Sequence, residues 1–243
     1  MYLEDYFGFL IALLLCMAFS AIASGRVKTT FKKYDKVHAR SGKTGYDTVR
    51  TLMTLNGVQG IGIGQTAGSL TDHYNPAKAV INLSESTYHS SSVAAIAVAA
   101  HEMGHVMQKQ EHYGLYQVRT ALVPVVNIGS FMAWPLVMAG ILLDSFVTFG
   151  SSDMGFYLAM VGVVLYGSSL AFALVTLPVE LNASRRAKEM LLQSNILTAD
   201  EIPGAKKVLS AAALTYLASL VTSAVYFLRF LLYVMSIFGR RRD

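Results

Sequence analysis

The sequence predicts an α+β integral membrane protein: about four transmembrane helices and a small soluble part built from a short antiparallel sheet and one long helix. Three observations predict it. Of the 243 residues, 53% are hydrophobic and only 14% are charged, and the mean hydropathy is +0.45, outside the range of an ordinary soluble domain. Four apolar stretches, 7–23, 122–143, 156–177 and 211–238, approach or exceed the length that crosses a bilayer. Between the first two lies a segment whose hydrophobic pattern alternates and then turns helical.

The elements follow in order. Residues 1–24 form an N-terminal transmembrane anchor, ending at Ser24-Gly25-Arg26. Glu4 and Asp5 precede the apolar run and the basic cluster follows it, which argues for an uncleaved anchor over a signal peptide. In 25–120, Thr44-Gly45-Tyr46-Asp47 reads as a capping box opening a short amphipathic helix with Val49, Leu52, Met53 and Leu55 on one face, closed at Asn56-Gly57. Residues 58–65 alternate, Asn75-Pro76 marks a turn, and 79–83 reads as the last strand of the antiparallel sheet. If that strand is an open edge, an extended peptide can add to it. Ser90, Ser91 and Ser92 offer N-caps to the apolar run 93–100, which leads into the long helix.

Residues 121–178 make a transmembrane hairpin whose link holds Asp144, Gly150, Ser151, Ser152 and Asp153. Pro178 ends it, and a new helix is expected in 179–210. Residues 211–243 hold the last span or a helix lying at the surface; 211–228 just crosses, with Arg229 snorkelling among Tyr226, Phe227, Phe230 and Tyr233. Arg26, Lys28, Lys32, Lys33, Lys36, Arg40 and Lys43 follow the first span, and Arg185, Arg186, Lys188, Lys206 and Lys207 follow the third, so both segments are expected inside. Arg240, Arg241 and Arg242 disagree if the last stretch crosses. The net charge of +5 is mostly of this membrane-flanking kind. No basic stripe with interleaved aromatics appears, so nucleic acid is not an expected partner. The one cysteine, Cys16, excludes an intrachain disulfide and a thiolate metal site.

The chemistry lies in His101-Glu102-Met103-Gly104-His105. Residues four apart share a helical face, so both imidazoles reach one metal and Glu102 lies beside its open position. Such a pattern arises by chance in under about one per cent of chains with this histidine content. A hydrolytic zinc needs a third protein donor besides His101 and His105. Glu180, opening Glu180-Leu181-Asn182-Ala183-Ser184-Arg185-Arg186-Ala187 after Pro178, is placed where the hairpin returns; a glutamate favouring a helix N-terminus is the plainer reading.

The His101–His105 motif, the 180–187 segment and Leu70-Thr71-Asp72-His73-Tyr74-Asn75-Pro76 together resemble the YugP-type neutral zinc metallopeptidases of bacterial membranes, over nearly the whole chain. More distantly the pattern is similar to the HtpX and CAAX-prenyl endopeptidase group, gluzincins whose third ligand is the Glu of an E-x-x-x-D helix. The resemblance implies a zincin-like soluble part, Zn2+ as cofactor, His101, His105 and Glu180 as metal ligands, and Glu102 as general base. The chain departs at Ser184, where the group has Asp: a serine still accepts a hydrogen bond from a ligand imidazole but brings no charge. Asp144 is a rival third ligand, since Leu143-Asp144 resembles part of the Leu-Asp-Gly element of site-two-type proteases; it lacks the glycine and falls on the opposite side of the expected topology. His73, Tyr74 and Arg186 are candidates for the oxyanion or its surroundings. His38, His89 and His112 have no partner pattern.

The resulting expectation is a zinc endopeptidase of the bacterial plasma membrane, acting at the cytoplasmic face on membrane or unfolded proteins. The alternatives are a non-catalytic zinc-binding scaffold or adaptor of a larger protease assembly, and a transporter. The partners expected are the lipid bilayer and a peptide or membrane-protein substrate. Small residues in 162–169 also permit close packing, within the chain or with a membrane partner or second copy.

Overall fold

The computed structural model describes residues 3–146 and 153–239. Within them the elements are α1 (Leu3–Tyr34), α2 (Gly45–Leu55), β1 (Gly62–Thr66), β2 (His73–Asn75), β3 (Val80–Ser84), α3 (Glu85–Tyr88), α4 (Val93–Gln110), α5 (Gly114–Phe146), α6 (Met154–Gln193) and α7 (Ile202–Gly239). The chain is an α+β membrane protein that divides into two compact units. One takes Met1–Ser20, Val118–Leu177 and Tyr216–Asp243; the other takes Ala21–Gln117 and Pro178–Thr215. Gly150, Ser151, Ser152, Arg240, Arg241 and Arg242, all used in the topological reading, lie outside the described residues.

Among the described residues, four helices are long and apolar enough to cross a membrane: Phe7–Tyr34, Gly114–Asp144, Met154–Gln193 and Ile202–Gly239. Large apolar side chains such as Leu14, Phe131 and Val164 are exposed on them, which is unfavourable in water and neutral in lipid. In the first unit Val137, Ala159, Val163, Phe230, Val234 and Phe238 form a buried cluster. Helices α5 and α6 meet backbone to backbone there: a Cβ on Gly140 would collide with the carbonyl of Gly155, and one on Gly162 would lie 2.7 Å from the Ala133 oxygen. Arg229 places its guanidinium 4.9 Å from the centre of the Phe9 ring, which also meets Tyr226 edge-on. The cation therefore has an aromatic partner within the helical bundle.

The second unit has a fully buried core including Leu52, Ile81, Leu83, Ile96, Met103, Leu191 and Ile196. Helix α2 begins at the expected capping box, with Thr44 Oγ1 accepting from Asp47 N–H and Asp47 accepting from Thr44 N–H, each at 3.1 Å. The Thr44 hydroxyl, which donates to the Asp47 carboxylate at 2.7 Å, and the Thr44 N–H hold that carboxyl below the usual range, because they favour its charged form over the modest cost of burial. Helix α4 starts at Ser92, whose hydroxyl accepts from Ala95 N–H and donates to Asp35. The cap of α4 is thus tied to the end of α1.

The sheet corrects the expected antiparallel arrangement. Its order is β1-β3-β2, with β2 antiparallel and β1 parallel to β3. The Asn75 turn behaves as read, its side chain accepting from Ala77 and Lys78 N–H, and it returns the chain from β2 into β3. Strand β3 carries Ile81 and Leu83, both fully buried, whereas β1 and β2 are partly exposed. The most apolar strand takes the centre, and β1 pairs with it from the other side, running parallel. The last strand is therefore no edge; β1 and β2 are.

A second correction concerns Pro178. No new helix begins there: α6 runs unbroken through it to Gln193. Proline removes one N–H and crowds the preceding turn, but Val179, Ala183, Ala187 and Leu191 on the following turns are fully buried. Their packing outweighs the local cost, and Glu180 sits inside a helix, not at its N-terminus.

Candidate metal centre

Helix α4 is buried nearly all round, from Val93 through Ala100 and on to Val106. Its run of small side chains lets neighbours approach on every face, as expected of a helix apolar on all sides. His101 and His105 follow one turn apart, their ring centres 4.8 Å from each other. Gly104 lies between them. A Cβ there would sit 2.5 Å from the carbonyl oxygen of Ala183, so α6 rests directly on the α4 backbone at this point. Glu180 is one turn before Ala183 on α6 and faces the histidines.

The three donors converge. Glu180 Oε2 lies 3.1 Å from His101 Nε2 and 3.4 Å from His105 Nε2, and its side chain is 3% exposed. One ligand atom from each residue lies within 4.8 Å of the other two. Tetrahedral zinc with ligand bonds of about 2.0–2.1 Å has ligand atoms separated by about 3.3 Å. The two nitrogen–oxygen separations fit that spacing, and the donor set of two imidazoles and a carboxylate suits zinc. Asp144, the rival third donor, is on α5 in the other unit and is not part of this group.

The far side of each ring is held. Ser184 Oγ is 3.2 Å from His101 Nδ1, where the serine was expected to replace an aspartate. His105 Nδ1 is 3.0 Å from the side-chain oxygen of Gln108, a residue the sequence reading passed over. Gln108 is fully buried and donates to Val179 O at 2.8 Å and to Asn182 Oδ1 at 2.9 Å. Its only sequence signal was its place one turn after His105, on the face that also carries the ligand. Arg186 is drawn into the same set: Nε donates to Asn182 Oδ1 at 2.8 Å and Nη1 pairs with Glu111 at 2.7 Å.

Glu102, next to the first histidine, is 7% exposed. Burial pushes its carboxyl up to about 7; His101 opposes that shift, the negative charges of Glu180 and Asp72 add to it, and the Tyr74 N–H, which donates to it, partly offsets it. Tyr74 is on β2, an edge strand, and its hydroxyl is buried without a hydrogen-bond partner. Burial raises the Tyr74 phenol above its usual value. His73 is exposed and both its ring nitrogens are engaged, Nδ1 with Thr71 O at 2.9 Å and Nε2 with Asn82 Nδ2 at 3.1 Å. Asp72 accepts from the Ser84 N–H and hydroxyl and fixes the entry to β2.

The family model described as "Putative neutral zinc metallopeptidase" matches residues 9–235. The "Putative membrane protease YugP" of Bacillus subtilis (strain 168) is 40% identical over 224 residues, which is 92% of this chain and 95% of that protein. No solved structure matches. A cluster of two histidines and a buried carboxylate, four membrane-length helices among the described residues and a family match over nearly the full length lead to one conclusion: the chain belongs to the neutral zinc metallopeptidase family, and zinc is its cofactor.

Proposed function

We propose that the chain is a multi-pass endopeptidase of the bacterial plasma membrane, of the gluzincin type, which cleaves membrane or unfolded proteins at the cytoplasmic face. The observation that carries this reading is the convergence of His101, His105 and Glu180 beside a buried Glu102. His101, His105 and Glu180 would hold the zinc, which would supply an activated water and polarise the scissile carbonyl. Glu102, beside them, is the general base that accepts a proton from the attacking water and passes it to the leaving amine. The N–H of Tyr74 holds the Glu102 carboxylate in place. Of the three candidates for the oxyanion, the Tyr74 hydroxyl is free to donate, whereas the His73 nitrogens are spent on Thr71 and Asn82. Arg186 is committed to Asn182 and Glu111 and supports the site from behind. A structural zinc takes four protein ligands; the group among the described residues has three, which favours a catalyst over a scaffold.

The cytoplasmic placement rests on the lysines and arginines that follow the first and third spans. Membrane proteins or unfolded segments near the bilayer, and a membrane partner or second copy packed in lipid, follow from that location. The test is Glu102→Gln in the full chain, reconstituted in vesicles with an unfolded casein as probe. It retains one zinc per chain and loses cleavage; full residual activity would remove Glu102 from the mechanism. Ser41→Cys is expected to resist a membrane-impermeant thiol reagent applied to intact cells, and rapid labelling would reverse the orientation.

A further inference from the structure

Gln108 lies on none of the reacting atoms, yet its hydrogen bonds decide which way His105 presents itself. Val179 O can only accept a hydrogen bond, so the Gln108 amide nitrogen must face it, at 2.8 Å. The side-chain oxygen of Gln108 is then the atom 3.0 Å from His105 Nδ1, and an oxygen in that position can only accept. His105 must therefore carry its hydrogen on Nδ1. A neutral imidazole with Nδ1–H has its lone pair on Nε2, the atom 3.4 Å from Glu180 Oε2. His101 has no such constraint, because a serine hydroxyl at 3.2 Å accepts or donates equally well.

The amide is itself held in place. Its second hydrogen goes to Asn182 Oδ1, that oxygen also accepts from Arg186 Nε, and Arg186 pairs with Glu111 at the C-cap of α4. The set alternates between the helices: His105, Gln108 and Glu111 rise turn by turn along α4, and Val179, Asn182 and Arg186 along α6. We infer that this ladder positions the second metal ligand, with Gln108 fixing the His105 tautomer and Asn182 and Arg186 fixing Gln108. The inference rests on the metal site proposed above and adds a positioning residue to it.

A ladder that only clamps two helices and one that sets a tautomer respond differently to two substitutions. Gln108→Met keeps the volume and removes the acceptor at His105 Nδ1. Gln108→Glu keeps that acceptor but turns both donors into a carboxylate facing Val179 O and Asn182 Oδ1, the worse change for a clamp. Zinc affinity is read by competition with a chromophoric chelator on the detergent-solubilised full chain, with Glu180→Ala as control. Loss of an outer hydrogen-bond partner typically weakens metal binding by about ten- to a hundredfold. Gln108→Met is expected in that range, Gln108→Glu close to the parent, and Arg186→Met weakened less than Gln108→Met. Zinc affinity for Gln108→Glu no better than for Gln108→Met would overturn the positioning role, as would a Gln108→Met protein that binds zinc like the parent. In either case a zinc-free Glu180→Ala control leaves the metal site standing; parental affinity in that control would overturn both readings.

Discussion

Helix α6 makes two close contacts through glycine, one in each unit, with different results. Against α5, Gly140, Gly155 and Gly162 let the backbones touch, and Val137, Ala159 and Val163 fill the space around them. Against α4, Gly104 receives the carbonyl of Ala183 in the same manner. The first contact produces packing and the second gathers the candidate metal donors, because of what lies one turn away. Gly104 is bracketed by His101 and His105, and Ala183 by Glu180 and Ser184. Close approach of two backbones is a general device in membrane helices; the residues at the adjoining turns decide whether it carries chemistry.

The largest expected effect separates the two contacts directly. Gly104→Val forces α4 and α6 apart and carries Glu180 away from both imidazoles, so zinc content and proteolysis fall to background. Gly140→Val costs about 1–3 kcal/mol of packing and lowers the unfolding temperature while zinc per folded chain stays at the parental level. Equal zinc loss in both variants would mean that the site depends on the whole bundle and not on the α4–α6 contact. Next in size is Tyr74→Phe, expected to lower kcat by about 10²-fold or more as an oxyanion donor is lost, with zinc content unchanged; a wild-type kcat would leave the oxyanion to another group.

Smaller effects sharpen the contrast inside the metal site. Ser184→Ala is expected to weaken zinc binding by about tenfold, and Ser184→Asp to tighten it, since a carboxylate at His101 Nδ1 strengthens the ligand. Chelator competition reads both, and a tighter Ser184→Ala protein would show that the serine bond is incidental. Thr44→Ala removes the α2 cap and costs about 1 kcal/mol, read in chemical unfolding. The same cap gives a pH signature. Asp47 has a carboxyl held below its usual value, so its contribution is complete at neutral pH, begins to fade below the ordinary carboxylate pKa of about 4, and is lost as the pH falls through the depressed value. Thr44→Ala shifts stability less at acid pH than at neutral pH.

Much of this molecule is legible in its sequence. The four apolar stretches, the capping box at Thr44, the serine cap of α4 and the histidine pair are local signals, each fixed by residues within a few positions, and each is found in the structure. The errors are non-local. Alternation marks residues 58–65 as a strand but says nothing of its partner; the burial of Ile81 and Leu83 puts β3 in the centre, with β1 parallel beside it. Pro178 is a local stop signal that distant packing overrides. Glu180 could be singled out only by family resemblance, since a glutamate after a proline is common. Gln108 was missed for the opposite reason: a glutamine near a helix end looks solvated, and only α6, some 70 residues further on, gives it a buried partner.

The account rests on Glu180 completing a site begun by His101 and His105. The most direct test is the zinc dissociation constant of Glu180→Ala beside that of Asp144→Ala, both measured on folded full-length protein. The account predicts a loss of at least about a hundredfold for Glu180→Ala and parental affinity for Asp144→Ala. Parental affinity in Glu180→Ala, with zinc lost in Asp144→Ala, would contradict it.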